Sequence, residues 1–335
     1  MLNYTFVQAS NVNITVDKRM ELISIVQLIS GYDMVGYYDT EYKKDALDYF
    51  SKHKDHISVK LFKQLKLYGS FEYHRPYAAM LYFTQPPKFD IKVSDLPEEK
   101  LVLSTEKELL NFIESLQSFY NESNFLKFYK EHQNLYNKYL DEFRKNIDVK
   151  ELISLYKEFY GIKLNNYNIY LVPLANGGYN VRKNNMDGSI VLGISKKITG
   201  NYSFVRNKPV GLTEFMLLHE FSHSYLGEVT LKNLKLLNEC KYLYEPISRD
   251  MQKYGYYSWY RAFNEHLINA ISIRILTRKY GHSIVNTYLT SYKKRGYLYI
   301  EDIYKVLKKY ENDRDKYKNF DEFFPELVQN FINKN

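Results

Sequence analysis

The segment at residues 219–223 constrains this chain most, because it reads His-Glu-Phe-Ser-His within a proline-free stretch of helical apolar periodicity. On a helix, residues four apart stand one turn above the other, so His219 and His223 can offer two imidazole nitrogens to one tetrahedral zinc ion. Glu220 is turned by about 100° from His219 and can reach a water on that ion without being a ligand itself. The segment therefore predicts a helix with a zinc-binding, catalytic face.

Chance is the competing explanation for this pattern. With 8 histidines in 335 residues, the pattern arises at random in about one chain in a hundred of this composition. Two histidines on an apolar helix without a metal would also need other hydrogen-bond partners for their ring nitrogens. Zinc is therefore the cofactor that we expect.

A third ligand must come from elsewhere in the chain, because catalytic zinc commonly has three protein ligands. The metzincin pattern fails, since Leu226 and Val229 stand where it requires glycine and histidine. We expect Glu265, because it lies among apolar residues of a predicted helix, where an unpaired carboxylate is costly. Other acidic residues lie closer to His223 or in more polar segments: Glu228, Glu239 and Glu245.

Arg261, Glu265 and Asn269 are spaced by four residues and form one polar stripe on this second helix. A metal bound by Glu265 would explain the stripe. Alternatively, Arg261 and Glu265 form an ordinary ion pair on an exposed face. The sequence leaves both explanations open.

The zinc helix followed by Asn264, Glu265 and Asn269 resembles the gluzincin (thermolysin-like) clan of metallopeptidases, whose second motif is Asn-Glu-x-x-x-Asp. The resemblance covers about residues 165–280 and implies a zincin-like core, a peptide or protein substrate and Glu265 as the third ligand. Asn269 replaces the clan's Asp, but its amide oxygen can accept the same bond from the first zinc histidine. The interval from His223 to Glu265 is longer than thermolysin's.

Two further parts of the site are implied by the same resemblance. Gluzincins stabilise the oxyanion with a tyrosine or histidine, for which the candidates are Tyr256, Tyr257 and His282, with Arg261 as another option. A substrate-binding edge strand precedes the zinc helix in this clan. Its counterpart is a strand at residues 190–195, where an extended peptide can pair with the backbone of Ile190, Val191, Leu192 and Gly193.

Residues 16–22, which read Val-Asp-Lys-Arg-Met-Glu-Leu, together with residues 219–225 also resemble an uncharacterised bacterial family known only as a domain of unknown function. Its members look like metallopeptidases. The resemblance spans most of the chain and implies no particular substrate.

Patterns along the rest of the chain predict a mainly helical α+β fold with a small antiparallel sheet before the zinc-binding helix. Residues 1–150 are expected to form a mostly helical N-terminal region and residues 151–335 the catalytic domain. The predicted strands are 4–9, 12–16, 89–93, 168–174, 179–183 and 190–195, with a hairpin turn at Asp187 and Gly188. The predicted helices are 21–29, which Asp17 can cap, 42–53, 56–67, 77–83, 106–120, 125–143, 149–160, 213–227, 256–280, 300–310 and 320–332.

Charge and composition bound the remaining functions. The net charge of +8 is spread along the chain, for example in residues 293–295 among acidic neighbours, so nucleic acid is not the expected partner. The single cysteine excludes an internal disulfide, and no apolar run reaches the roughly 18 to 20 residues that cross a bilayer. Residues 1–19 show no secretory signal, so the chain as given is expected to be soluble, either cytoplasmic or secreted with its signal removed. A catalytically silent zinc scaffold and a basic nucleic-acid-binding protein remain the alternatives to an enzyme.

Overall fold

The computed structural model describes residues 11–67, 71–90, 106–182, 186–196, 202–204, 206 and 208–333. It is mainly helical with a small mixed sheet, which confirms the expected α+β class. The chain forms two compact units, one made of Met1–Ile147 and Asn166–Val205 and the other of Asp148–Asn165 and Arg206–Asn335. Residues 166–205, which include the strands expected before the zinc-binding helix, group with residues 1–147 in the first unit.

The first unit surrounds helix α1 (Lys18–Ile29), whose nine buried residues place it in the core. Asp17 caps this helix by accepting a hydrogen bond from the backbone of Arg19 at 2.8 Å. The other helices of this unit are α2 (Glu41–Phe50), α3 (Ile57–Leu67), α4 (Arg75–Met80), α5 (Glu106–Glu122), α6 (Phe125–Glu131) and α7 (Gln133–Asn146), with a 3-10 turn at Ser51–His53.

The sheet of this unit corrects two predictions. Its order is β1 (Asn11–Thr15), β2 (Asn166–Val172), β4 (Asp187–Gly193) and β3 (Gly178–Asn180), and β4 pairs in parallel with β2. The expected antiparallel meander is therefore wrong, although β3 and β4 are antiparallel. Asp187 and Gly188 belong to β4 rather than to a turn. A short hairpin, β5 (Ser195–Lys196) and β6 (Tyr202–Ser203), follows.

The resemblance implies that strand β4 lies at the edge of the sheet, but in the structure β4 lies between β2 and β3. Ile190, Val191 and Leu192 pair with β2 on one side and with β3 on the other, and the amide of Gly193 donates to the carbonyl of Gly177 at 2.6 Å. All seven residues of β4 are buried. Its backbone groups are already bonded, so these four residues cannot add a peptide strand.

The second unit is helical throughout its described part. Its helices are α8 (Val149–Tyr160), α9 (Leu212–Lys232), α10 (Leu234–Asn238), α11 (Ser248–Gln252), α12 (Trp259–Tyr280), α13 (Val285–Lys294), α14 (Ile300–Asn312) and α15 (Phe320–Ile332), with 3-10 turns at Lys241–Ile247 and His282–Ile284. Helix α12 packs on α8, α9 and α14 and buries fifteen residues, so it forms the centre of this unit.

Some predictions fall outside the described residues: the strand at residues 4–9, and residues 91–93 of the strand expected at 89–93. Phe89 itself has a φ of 50° and is not in a strand. Among the helices that the structure describes, none is long and apolar enough to span a lipid bilayer.

Candidate metal centre

Helix α9 carries the two histidines, as the sequence predicted. It begins after Gly211, whose φ of 72° and close contact with the Tyr280 ring, 2.6 Å from an ideal Cβ, leave space for glycine alone. Inside the helix, Tyr160 of α8 donates a hydrogen bond to the Ser222 hydroxyl at 2.8 Å. These contacts fix one face of α9 in the core and leave His219 and His223 on a partly exposed face.

Helix α12 brings Glu265 to that face. Ser258 caps its first turn by accepting from the Arg261 amide at 3.4 Å. The Thr230 hydroxyl on α9 donates to the Asn264 amide oxygen on α12 at 3.0 Å. Because Asn264 directly precedes Glu265, this bond holds the two helices in register at the site.

Three potential metal ligands meet between α9 and α12. The Nε2 atoms of His219 and His223 are 3.2 Å apart, and the Glu265 carboxylate oxygens lie 3.6 Å and 3.5 Å from them, respectively. A tetrahedral zinc ion with bonds of about 2.0 to 2.1 Å holds its ligands about 3.3 to 3.4 Å apart. The two nitrogens, each with one oxygen of the Glu265 carboxylate beside it, therefore already have nearly the spacing that such an ion requires, and one ligand atom from each residue lies within 4.8 Å of the other two.

The proton on the His219 ring is placed by Asn269. The Nδ1 atom of His219 is 2.9 Å from Oδ1 of Asn269, and since an amide oxygen only accepts, Nδ1 carries the proton and donates. Nε2 is then the free lone pair that faces Glu265 and His223. Burial lowers the pKa of His219 to about 4, which outweighs the opposing effect of the Asn269 bond. His219 is therefore neutral at pH 7, the state that binds a metal.

Glu265 is 7% exposed. Burial raises its pKa to about 7, although a hydrogen bond from Tyr256 and the positive charge of Arg295 oppose the rise. An ionised carboxylate is therefore costly at this position, and a cation would offset that cost. Glu265 lies beside the two imidazoles rather than in an ion pair with Arg261, so the alternative of a surface ion pair does not describe this site.

Glu220 follows His219 directly and is half-buried. Its negative charge contributes to raising the pKa of two tyrosines, Tyr256 and Tyr292, which also respond to Glu265. Glu220 and Glu265 therefore both act on Tyr256 and Tyr292, and Glu220 does not belong to the group of three donors.

The residues predicted to stabilise the oxyanion differ in burial and in their contacts with the candidate metal centre. Tyr256 contacts Glu265 through its hydroxyl. Burial, and then the charge of Glu265, raise the pKa of Tyr256, so its hydroxyl stays protonated. Tyr257 is 69% exposed and Arg261 is also exposed, at the start of α12.

His282 is excluded by distance, which corrects its prediction. It follows the end of α12 at Tyr280, about 22 Å along the helix axis from Glu265. There it lines a surface pocket with Arg274, Arg278 and Glu311, far from the three donor atoms. Among the other carboxylates considered as ligands, Glu239 and Glu245 are exposed and Glu228 is half-buried, and none of these belongs to the cluster.

Three residues beside this site were not predicted from the sequence: Tyr292, Arg295 and Tyr297. Burial raises the pKa values of Tyr292 and Tyr297, the charge of Glu265 adds to the rise, and the charge of Arg295 opposes it. Arg295 had been grouped with the solvated lysines at residues 293 and 294. Its only sequence signal is its place among tyrosines just before Gly296, where a helix ends.

The fold and site define a mainly helical α+β protein with a His-His-Glu cluster between two core helices. The family model described as "Domain of unknown function (DUF4932)" matches residues 12–330, and the chain belongs to this family. No curated protein and no solved structure matches the chain.

Proposed function

We propose that the protein is a zinc-dependent hydrolase, and specifically a metallopeptidase. The observation that carries the proposal is the spacing of the ligand atoms: the Nε2 atoms of His219 and His223 are 3.2 Å apart, and one oxygen of the Glu265 carboxylate lies 3.6 Å from the first while the other lies 3.5 Å from the second. Two imidazoles and one carboxylate are a common ligand set for catalytic zinc, which keeps a fourth position for water or substrate. The chain's own hydrogen bond from His219 to Asn269 supports the assignment, because zinc histidines usually donate their second ring nitrogen to such a partner.

A bound zinc ion would polarise the scissile carbonyl and lower the pKa of water in the site. The remaining chemistry belongs to the protein. Glu220 accepts the proton of the attacking water and delivers it to the leaving amine. Tyr256, whose hydroxyl remains protonated and donates to Glu265 in this structure, turns to donate that hydrogen bond to the oxygen that gains negative charge once substrate is bound. Asn269 keeps the His219 ring in the orientation and tautomer that a ligand needs.

The Glu220→Gln variant tests the role of the base. It keeps the size of the side chain and one acceptor oxygen but cannot accept a proton. We expect it to bind one zinc per chain and to lose at least about a hundredfold in kcat on a peptide library scored by mass spectrometry. Glu228→Gln, two helical turns later on α9, is the matched control and should keep wild-type activity. Hydrolysis at the wild-type rate by Glu220→Gln would contradict the proposed mechanism.

A further inference from the structure

Arg295 lies in a hydrogen-bonded turn that directly follows helix α13. Its backbone N–H donates to the carbonyl of Tyr292 at 2.9 Å, and the N–H of Gly296 donates to that of Lys293 at 3.0 Å. Gly296 has a φ of 88°, and a Cβ there would lie 2.4 Å from the Cβ of Asp250. Because only glycine fits at position 296, the backbone that follows Arg295 is held in this turn.

Three tyrosines hold the guanidinium of Arg295. Its central carbon lies 5.0 Å from the ring centre of Tyr254, 5.1 Å from that of Tyr292 and 5.7 Å from that of Tyr297. It also forms side-chain hydrogen bonds with Tyr254 and Tyr292. A guanidinium stacked on aromatic rings keeps in-plane N–H groups for further partners. We call these four residues the arginine cage.

The arginine cage is connected to the candidate metal centre by direct contacts. Tyr297 is hydrogen-bonded to Tyr256, which is hydrogen-bonded to Glu265. On the other side, the Phe215 ring is 5.7 Å from that of Tyr292 and 6.2 Å from that of His219. The charge of Arg295 also lowers the pKa of both Glu265 and His219. The positive charge of Arg295 is therefore felt at His219 and Glu265, two of the three candidate ligands.

Over the part of the chain that the structure describes, Arg295 forms no ion pair, although its neighbour Lys293 pairs with Glu301 at 2.8 Å. Arg278, by contrast, pairs with both Glu158 and Glu311. Arg295 is also exposed, so a ligand can reach it.

We propose that Arg295 binds a carboxylate group of the substrate next to the metal centre and so makes the enzyme selective for acidic peptide groups. A planar guanidinium matches a carboxylate with two parallel hydrogen bonds. The carboxylate is either the C-terminal group of the peptide or an Asp or Glu side chain, which share this chemistry. The inference rests on the proposed peptidase function.

The test uses short fluorescein-labelled randomised peptides in four matched pools. One pool has a free C-terminus and no acidic side chains, one is amidated at the C-terminus and also lacks acidic side chains, and two repeat these termini with added Glu. Binding is measured by fluorescence anisotropy on the zinc-loaded Glu220→Gln protein, and KM and kcat are measured on the zinc-loaded protein with intact Glu220. Each is compared with the same protein carrying Arg295→Gln or, as a control, Lys294→Gln, which removes an exposed charge outside the arginine cage.

We expect Arg295→Gln to weaken binding and raise KM about 10- to 100-fold for one class of carboxylate peptide, while kcat changes little. Binding and KM for the neutral amidated pool should change by no more than about twofold in Arg295→Gln. The Lys294→Gln control should stay within about twofold of the protein without this substitution for every pool. The pool that responds identifies the source of the carboxylate.

Three results would overturn the proposal: no binding of any pool, binding that ignores the carboxylate, or equal weakening of all pools by Arg295→Gln. The results also distinguish a failure of the proposed role of Arg295 from a failure of the proposed peptidase function. Hydrolysis without carboxylate preference removes the role of Arg295 alone, whereas carboxylate binding without hydrolysis removes the peptidase and leaves the binding site.

Discussion

The Nδ1 atom of His219 on α9 donates a 2.9 Å hydrogen bond to Oδ1 of Asn269 on α12, and this bond connects the two helices that supply the candidate metal ligands. It determines which ring nitrogen of His219 carries the proton, and therefore which nitrogen faces Glu265. The other amide atom, Nδ2 of Asn269, is buried and has no hydrogen-bond partner among the described residues. Only the acceptor oxygen of Asn269 thus contributes to the site.

Replacing Asn269 should therefore change metal affinity. We expect Asn269→Leu to weaken zinc binding about 10- to 100-fold, because the His219 ring loses the partner that orients it. Asn269→Asp keeps an acceptor oxygen at the same place and should bind zinc at least as well as the wild type. Competition with a chromogenic chelator measures both affinities. Wild-type affinity in Asn269→Leu would show that the bond has no role in metal binding.

The hydroxyl of Tyr256 should matter for turnover. Tyr256→Phe removes the donor proposed for the oxyanion, and we expect kcat to fall about a hundredfold or more while one zinc per chain remains bound. Tyr257→Phe is the matched control, since Tyr257 is the next residue and is 69% exposed. Equal kcat values for the two variants in a peptide hydrolysis assay would contradict the role of Tyr256.

Zinc should stabilise the folded chain. A ligand that binds only the folded state stabilises it by about 2.7 kcal/mol when its free concentration is a hundredfold above Kd. We expect chelator-treated protein to gain about this amount on adding zinc, measured by urea unfolding followed by circular dichroism. The variant His219→Ala/His223→Ala should show no gain. A similar gain in this variant would indicate that zinc binds elsewhere.

Glu21 gives a pH prediction that does not involve the metal centre. It is fully buried on α1, and its Oε2 accepts a hydrogen bond from Tyr42, whose hydroxyl is 2.8 Å from that of Tyr136. Burial raises its pKa to about 8, which outweighs the Tyr42 bond that lowers it. The protonated form therefore belongs to the folded state.

Stability should fall as pH rises through the window set by this shift. A carboxyl group whose folded pKa is raised keeps its full contribution below the unfolded pKa of about 4.5 and loses it by about pH 8. We expect the wild type to lose on the order of a few kcal/mol of unfolding free energy across this range through Glu21. Glu21→Gln should lose less, as urea unfolding at pH 5 and pH 8.5 can show. Equal losses in both proteins would mean that Glu21 is not protonated in the folded state.

Much of the helical structure could be predicted from sequence, because amphipathic periodicity and capping are local. The predicted helices 149–160 and 320–332 agree with α8 and α15 residue for residue, and α12 begins three residues later than predicted because Ser258 is its cap. The predicted helix 125–143 is two helices, α6 and α7, which meet at His132. Helix α13 was not predicted.

The sheet and the surroundings of the metal centre depend on distant parts of the chain. Strand β4 pairs in parallel with β2. Parallel pairing has no local sequence signature, and Asp187 and Gly188 instead predicted a hairpin turn. The meeting of His219, His223 and Glu265 was predictable, since a buried carboxylate on an apolar helix needs a partner. Arg295 was not, because its neighbours Lys293 and Lys294 suggested an ordinary solvated helix end.

Elemental analysis of purified protein after exposure to zinc and dialysis tests the central claim most directly. The wild type and the variant Glu239→Ala, which changes an exposed carboxylate, should each hold one zinc per chain. Glu265→Ala should hold much less, because it removes one of the three donors. No zinc in the wild type, or a full equivalent in Glu265→Ala, would contradict the account.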